Sequence, residues 1–236
     1  MRMHTTSGRS LWPALITAAV VLGALVAFLV TRPSAQATAT PTTSPTTTPA
    51  STTTTTTTAA PPVDTGAAPT GCLGGSGRNL AMIVATQKKA PHSAYGAVEF
   101  AASFYRWVMQ YPTPTTDQVA AAAGTAISAA PAANVSNLAS AYAERGDHLI
   151  DTVPAGTPFF LSTRGGKWLV DESSTNDRVI VHVMAPYVIN GTVSTTDALG
   201  EGFVVVWEND AWRVQEALKP NTSAVETGGT FFTGGC

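Results

Sequence analysis

Between Ser93 and Pro112, polar side chains recur at Glu99, Ser103, Arg106 and Gln110, while Phe100, Phe104, Trp107, Val108 and Tyr111 fill the opposite side. Spacings of four, three and four residues match the 3.6-residue period of a helix, which Pro112 ends. A second helix is expected from "TTDQ", where Thr115 caps and Gln118 reaches back, running through the alanines toward Ala130. A third is expected in "NVSNLASAYAERG", capped by Asn134 and stopped by Gly146.

After Asp151 the period falls to two. "FFLSTRGGKWLV" reads as a hairpin turning at Gly165 and Gly166, and "RVIVHVMAPYVI" alternates Val179, Val181 and Val183 against Ile180, His182 and Met184. The last pair is "FVVVWENDAWRVQEA". If Asn209 and Asp210 form its two-residue turn, Trp207 stands opposite Trp212 and Glu208 opposite Ala211. Phe203, Val205, Trp207, Trp212 and Val214 then share one face. Glu208, Asp210 and Glu216 cluster as paired catalytic carboxylates would, but turn geometry accounts for Glu208 and Asp210. Helices followed by a run of antiparallel strands make an α+β plan, with a curved sheet folded over the long helix.

The first part of the chain follows a different pattern. Leu11–Val30 is a run of twenty residues without a charge, which at ~1.5 Å rise per residue matches a hydrocarbon core of ~30 Å. Arg2 and Arg9 precede it, so the positive-inside rule puts residues 1–10 in the cytoplasm and the rest outside the membrane. A cleaved signal peptide competes with this reading, because "AQA" at Ala35–Ala37 has the A-x-A form. A signal's apolar core is normally ~7–15 residues, so the length favours an anchor, and export follows either way. Residues 31–71 are mostly Thr, Pro, Ser and Ala, a disordered tether that would reach ~120 Å as polyproline II or ~35 Å as a coil. Its composition also suits O-glycosylation. The folded domain is therefore 72–236.

Two cysteines, Cys72 and Cys236, stand at the two ends of that domain, each beside glycines. In an oxidising compartment, with domain termini that often meet, a Cys72–Cys236 disulfide is the economical inference. The alternative for Cys72 is a lipoprotein cysteine, for which a lipobox is missing. The chain has 13 Lys and Arg against 15 Asp and Glu; Arg2, Arg9, Arg32 and Asp64 precede Cys72, which leaves the domain at −4. Such a balance gives no footprint for nucleic acid.

G-x-S-x-G, P-loop, H-E-x-x-H and C-x-x-C motifs are all missing from the sequence, and no cofactor or metal is expected. "GGSG" at Gly74–Gly77 is too short to cradle phosphate and reads as a flexible lead into the domain. "DH" at Asp147–His148 could act as an acid–base pair, but it falls in a connection.

The long aromatic helix "AVEFAASFYRWVMQYP", the shorter helices behind it and the closing hairpin "FVVVWENDAWRVQEA" resemble the nuclear transport factor 2-like superfamily, the cystatin-like roll. The resemblance covers about Ser93 to Ala217 and is a pattern match, without a residue signature. Joined to one N-terminal anchor, the pattern is similar to the bitopic scaffold subunits of type IV secretion and conjugation systems; the tether and the alanine-rich style look actinobacterial. The resemblance implies a non-enzymatic, membrane-anchored interaction or assembly module, partnered by other envelope or secretion-system proteins or by a second copy of itself. It also implies a concave pocket, for which Phe104, Trp107, Trp168, His182 and Trp207 are the candidate lining. A binding module for an apolar or lipid-like ligand is the alternative. A third reading is a hydrolase or isomerase built on His182, should that side chain project into the concave face.

Overall fold

A computed structural model describes residues 66–236. The segment expected to cross the membrane, Leu11–Val30, lies outside the described residues, as does nearly all of the tether. Among the described residues no helix is long and apolar enough to cross a membrane. The described domain is α+β, with helices packed on a strongly curled, seven-stranded antiparallel sheet that forms a half-barrel.

The sequence order is α1 (Leu80–Gln87), α2 (Ala94–Val108), β1 (Gln110–Tyr111), α3 (Thr116–Ala123), α4 (Ala133–Ser136), α5 (Leu138–Arg145), β2 (Phe159–Leu161), β3 (Lys167–Val170), β4 (Arg178–Ile189), β5 (Thr192–Glu208), β6 (Ala211–Leu218), α6 (Thr222–Gly228) and β7 (Thr230–Phe231). β4 is the spine of the sheet. One edge of β4 pairs with β5, which pairs in turn with β6; the other edge pairs with β3 near its start and with β2 near its end. β1 and β7 extend the sheet beyond β2 and β3. Alternation along β4 turns Val179, Val181, Val183 and Ala185 inward, all fully buried, against α2, which crosses the concave face and touches β2 through β6.

Several expectations from the sequence hold in detail. Thr115 with Gln118 forms a complete capping box on α3. Asn209 and Asp210 both adopt positive φ, 51° and 60°, as a two-residue hairpin turn requires. Trp207 pairs with Trp212 and Glu208 with Ala211. Cys72 and Cys236 are bonded, with Cα atoms 5.6 Å apart.

Other expectations are corrected. The glycine-centred stretch at 165–166 does not join a hairpin: Phe159 pairs with Ile189 and Lys167 with Met184, so β2 and β3 follow one another along the same edge of β4. A short loop between two in-line strands has the same turn chemistry as a hairpin, and only the partner strand tells them apart. α2 ends at Val108, before Pro112, because Gln110 and Tyr111 leave the helix to pair with β2. α3 stops at Ala123 with Gly124 after it, and the third expected helix is broken at Asn137 into α4 and α5. Asn134 is not its cap but lies inside α4, where it bonds the backbone of Ala217 on β6. β6 carries a bulge opposite Val204–Val205, so Val204 pairs with Glu216 and Val205 with Val214. Glu208 does more than flank a turn: it accepts from the Ser128 hydroxyl at 2.6 Å and the Ala129 N–H at 3.1 Å, fastening the loop after α3 to the hairpin.

The polar stripe of α2 is also buried. Glu99, Ser103 and Arg106 are 5%, 0% and 1% exposed, because residues 70–79 and α1 lie over them. Glu99 accepts four hydrogen bonds, from the N–H and hydroxyl of Thr70 and the N–H groups of Gly71 and Leu73. Arg106 donates to the carbonyls of Gly75 and Gly77, Ser103 shares a 2.8 Å hydrogen bond with Thr86 of α1, and Gln110 donates to Arg78. Burial, and then Arg78, pull the Arg106 guanidinium down to about 10, against the attraction of Glu99. Replacing Glu99 with Ala leaves three backbone donors, that of Gly71 buried and those of Thr70 and Leu73 half-buried, without their acceptor. We expect Glu99→Ala to lower stability by about 3 kcal/mol in chemical denaturation of the oxidised protein. A loss below about 1 kcal/mol would mean that the disulfide alone seats this segment.

Candidate functional site

Residues 138, 141, 142 and 145 lie on one face of α5, the i, i+3, i+4, i+7 stripe, and that face lines a space shared with α2, α4 and the sheet. The gap between them is a cavity of about 180 Å³. Its floor is Phe104 and Val108 of α2; its walls are Leu138, Ala141 and Tyr142 of α5, Val135 of α4, and Phe203 and Ala217 of the sheet. Two charged side chains join this apolar lining, Glu201 and Arg145. Arg145, Met109 and Leu149 also line a wider vestibule of about 580 Å³, where Leu199, His148 and Asp151 meet solvent. The inner cavity therefore opens outward past Arg145.

Strand parity puts Glu201 there. Leu199, Glu201, Phe203 and Val205 alternate onto the concave face of β5, and Glu201 is the one charge in that row. Burial drives the Glu201 carboxyl up to about 7, opposed by the Gly202 N–H and by Arg145. Tyr105 of α2 feels the same carboxylate: its hydroxyl is raised well above its ordinary value, first by burial and then by Glu201. Tyr142 is raised by burial while its hydroxyl donates to Val108 at 2.9 Å, which pins α5 to α2 beside the cavity.

The five residues expected to line a pocket are not brought together. Phe104 does line the cavity. Trp107 is wholly buried in the core against Phe104, and Trp168 packs edge-on against Tyr95 with 8% exposed. Trp207 lies at the far end of the same face, stacked on the ring of His92 at 4.3 Å and 6°. There His92 also meets Asp177 at 2.8 Å, and Trp212 donates to Pro91 at 2.8 Å, so this cluster latches the turn before α2 to the hairpin tip.

His182 does not project into the concave face. It alternates with the inward valines of β4 and sits on the convex side, packed over Gly202 and accepting from Asn221 at 3.4 Å beneath the segment leading to α6. A Cβ at position 202 would stand 2.8 Å from the imidazole, so the glycine makes room for it. Burial lowers the His182 pKa, with Asp171 acting the other way. Asp147 accepts from Tyr111 at 2.8 Å, and His148 lies 3.7 Å from Asp151 at the exposed vestibule. Among the described residues there is no cluster of His, Cys, Asp and Glu able to hold a metal ion.

Sequence reasoning missed Glu201 and Arg145. The signal was present: the inward parity assigned to Phe203, Val205 and Trp207, carried two residues back, lands on Glu201. Arg145 needed the fold, because nothing local says that the last turn of α5 faces the sheet. No protein-family model matches the chain, and no curated protein or solved structure matches it either.

A carboxyl held near 7 in the folded state and near 4.5 when unfolded destabilises the fold as pH rises. Below the unfolded value both states are protonated; between about 4.5 and 7 the unfolded chain ionises first, and above 7 the cost is constant. Glu201→Gln should therefore be more stable than the parent above pH 7 by about 1–2 kcal/mol, allowing for the part of the group that meets solvent, and equal to it near pH 4. Parallel denaturation curves with no pH-dependent gap would disprove the burial of this group.

Proposed function

We propose that this chain is a membrane-tethered, extracytoplasmic binding module whose cavity between α2, α5 and the β5–β6 hairpin accepts a small ligand with an apolar body. The observation that carries this reading is an apolar cavity that opens to solvent on the concave side of the sheet. Pockets of this kind are mostly apolar, with a few convergent polar groups. A volume of about 180 Å³ is of the order that takes one benzene-sized ring, and the vestibule gives room for a larger ligand to extend outward. The apolar run at 11–30 and the Thr/Pro-rich stretch at 31–71 support placing the domain outside the membrane on a flexible tether. A sheet curled around one long helix supports membership of the cystatin-like roll group, where the concave side is the place for a ligand.

Ring-proton saturation transfer from the full-length protein to benzene tests the pocket. Transfer is expected with the parent and is expected to be lost in Ala141→Phe, whose ring fills the cavity, with the melting temperature kept. Equal transfer from both proteins, or none from the parent, would refute the reading.

The second reading, favoured by the same roll plan joined to a single anchor, is a non-enzymatic assembly subunit of a conjugation or secretion apparatus. Its support is architectural, and fold alone does not carry function. Crosslinking of the full-length protein in cells, followed by mass spectrometry, is expected under this reading to recover a coupling ATPase and other channel subunits. Recovery of the chain alone, or of abundant envelope proteins, would count against it.

A further inference from the structure

Besides Asn134, whose amide is already bonded to the Ala217 backbone, the cavity carries the charged pair Arg145 and Glu201, and this composition narrows the ligand. Arg145 carries five N–H donors and uses one, on the Leu149 carbonyl at 3.5 Å. Its guanidinium stands where the cavity meets the vestibule, near enough to Glu201 to act on that carboxyl. The groups that share the cavity with Glu201 or act on it are Arg145 and Tyr142 from α5, Asn134 from α4 and Tyr105 from α2, while β6 offers only Ala217; His148 and Asp151 line the vestibule beyond Arg145.

We propose that the cavity takes a small monocarboxylic acid with a ring or short chain, its apolar body among Phe104, Leu138 and Phe203, its carboxylate ion-paired with Arg145 and accepting a hydrogen bond from the Glu201 carboxyl. This rests on the binding-module reading and deepens it. Charge complementarity selects the occupant. An ammonium ligand would meet Arg145 at the same end, and a neutral alcohol would leave the guanidinium without a counter-charge. A carboxylate fits Arg145 in bidentate fashion, and a neutral Glu201 supplies the second donor. The Glu201 carboxyl, already raised to about 7 by burial, is half neutral at that pH in the empty cavity. A bound carboxylate beside it favours the proton further, so above pH 7 binding takes up one proton.

The proton balance gives the sign. Below about pH 7 Glu201 is protonated before the ligand arrives and affinity is flat; above it each pH unit should weaken binding about tenfold. Calorimetry on the full-length protein, with benzoate and with benzyl alcohol from about pH 6 to pH 9, reads this directly. The expected result is benzoate binding at least tenfold tighter than benzyl alcohol at pH 6, weakening above pH 7. Glu201→Gln, an uncharged donor, should keep benzoate binding and lose its pH dependence. Arg145→Met should bind benzoate at least tenfold more weakly than the parent and lose the preference for benzoate over benzyl alcohol. Benzyl alcohol binding as tightly as benzoate, or pH-independent benzoate binding by the parent, overturns the acid assignment and leaves the pocket standing. Failure of benzene, benzyl alcohol and benzoate alike overturns both.

Discussion

The charged stripe of α2 makes the rest of the domain possible. Glu99 and Arg106 lie two helical turns apart, and each is almost wholly buried among backbone groups of the segment that leads into α1. Burying a carboxylate or a guanidinium costs several kcal/mol unless hydrogen bonds replace the lost water. Four donors on Glu99 and two carbonyls on Arg106 supply most of that replacement, the buried Arg106 Nε alone being left without a partner, and these bonds fix where the segment sits. α2 is thereby enclosed on both sides, by the sheet and by its own N-terminal lead.

The disulfide extends this clamp to the other end of the domain. Cys72 lies among the residues held by Glu99, between Gly71 and Leu73, and Cys236 is bonded to it. The last residue is further tied to the β2–β3 loop: its carbonyl accepts from Thr163 N–H and from the Ser162 hydroxyl, and its N–H donates to the Thr163 hydroxyl. Thr163 in turn donates to Gly71. Both ends of the domain and the loop between two in-line strands therefore close as one unit. In the chain-entropy model a cross-link spanning 164 residues is worth about 4–5 kcal/mol. Beside the cavity, α5 is held to α2 by the hydrogen bond from the Tyr142 hydroxyl to the Val108 carbonyl.

This division of the domain bears on function. The N-terminal lead over α2 and the domain ends carry the clamp and the disulfide, while His182 sits on the convex side, packed under the approach to α6. The concave side near α5 keeps space, one ionisable carboxyl and a guanidinium at the opening. Alternate residues of β5 serve each face: Gly202 makes room for His182, while Glu201 and Phe203 line the cavity.

Local physics in the sequence was enough for the α+β class, the long helix, the capping box of α3, the span of β4, the Asn209–Asp210 turn with its tryptophan pair, and the cysteine pairing. Each follows from periodicity, cap and turn chemistry, or the count of cysteines, and needs only neighbouring residues. Partner choice was decided by tertiary structure. The same glycine turn serves a hairpin or an in-line break, the same polar stripe serves solvent or a buried clamp, and His182 falls outside or inside according to which face of β4 the valines take. The cavity is the extreme case: Phe104, Arg145, Glu201 and Ala217 come from four separate elements, and only the fold brings them around one space. A void is defined by what surrounds it, so no single stretch of sequence could show it.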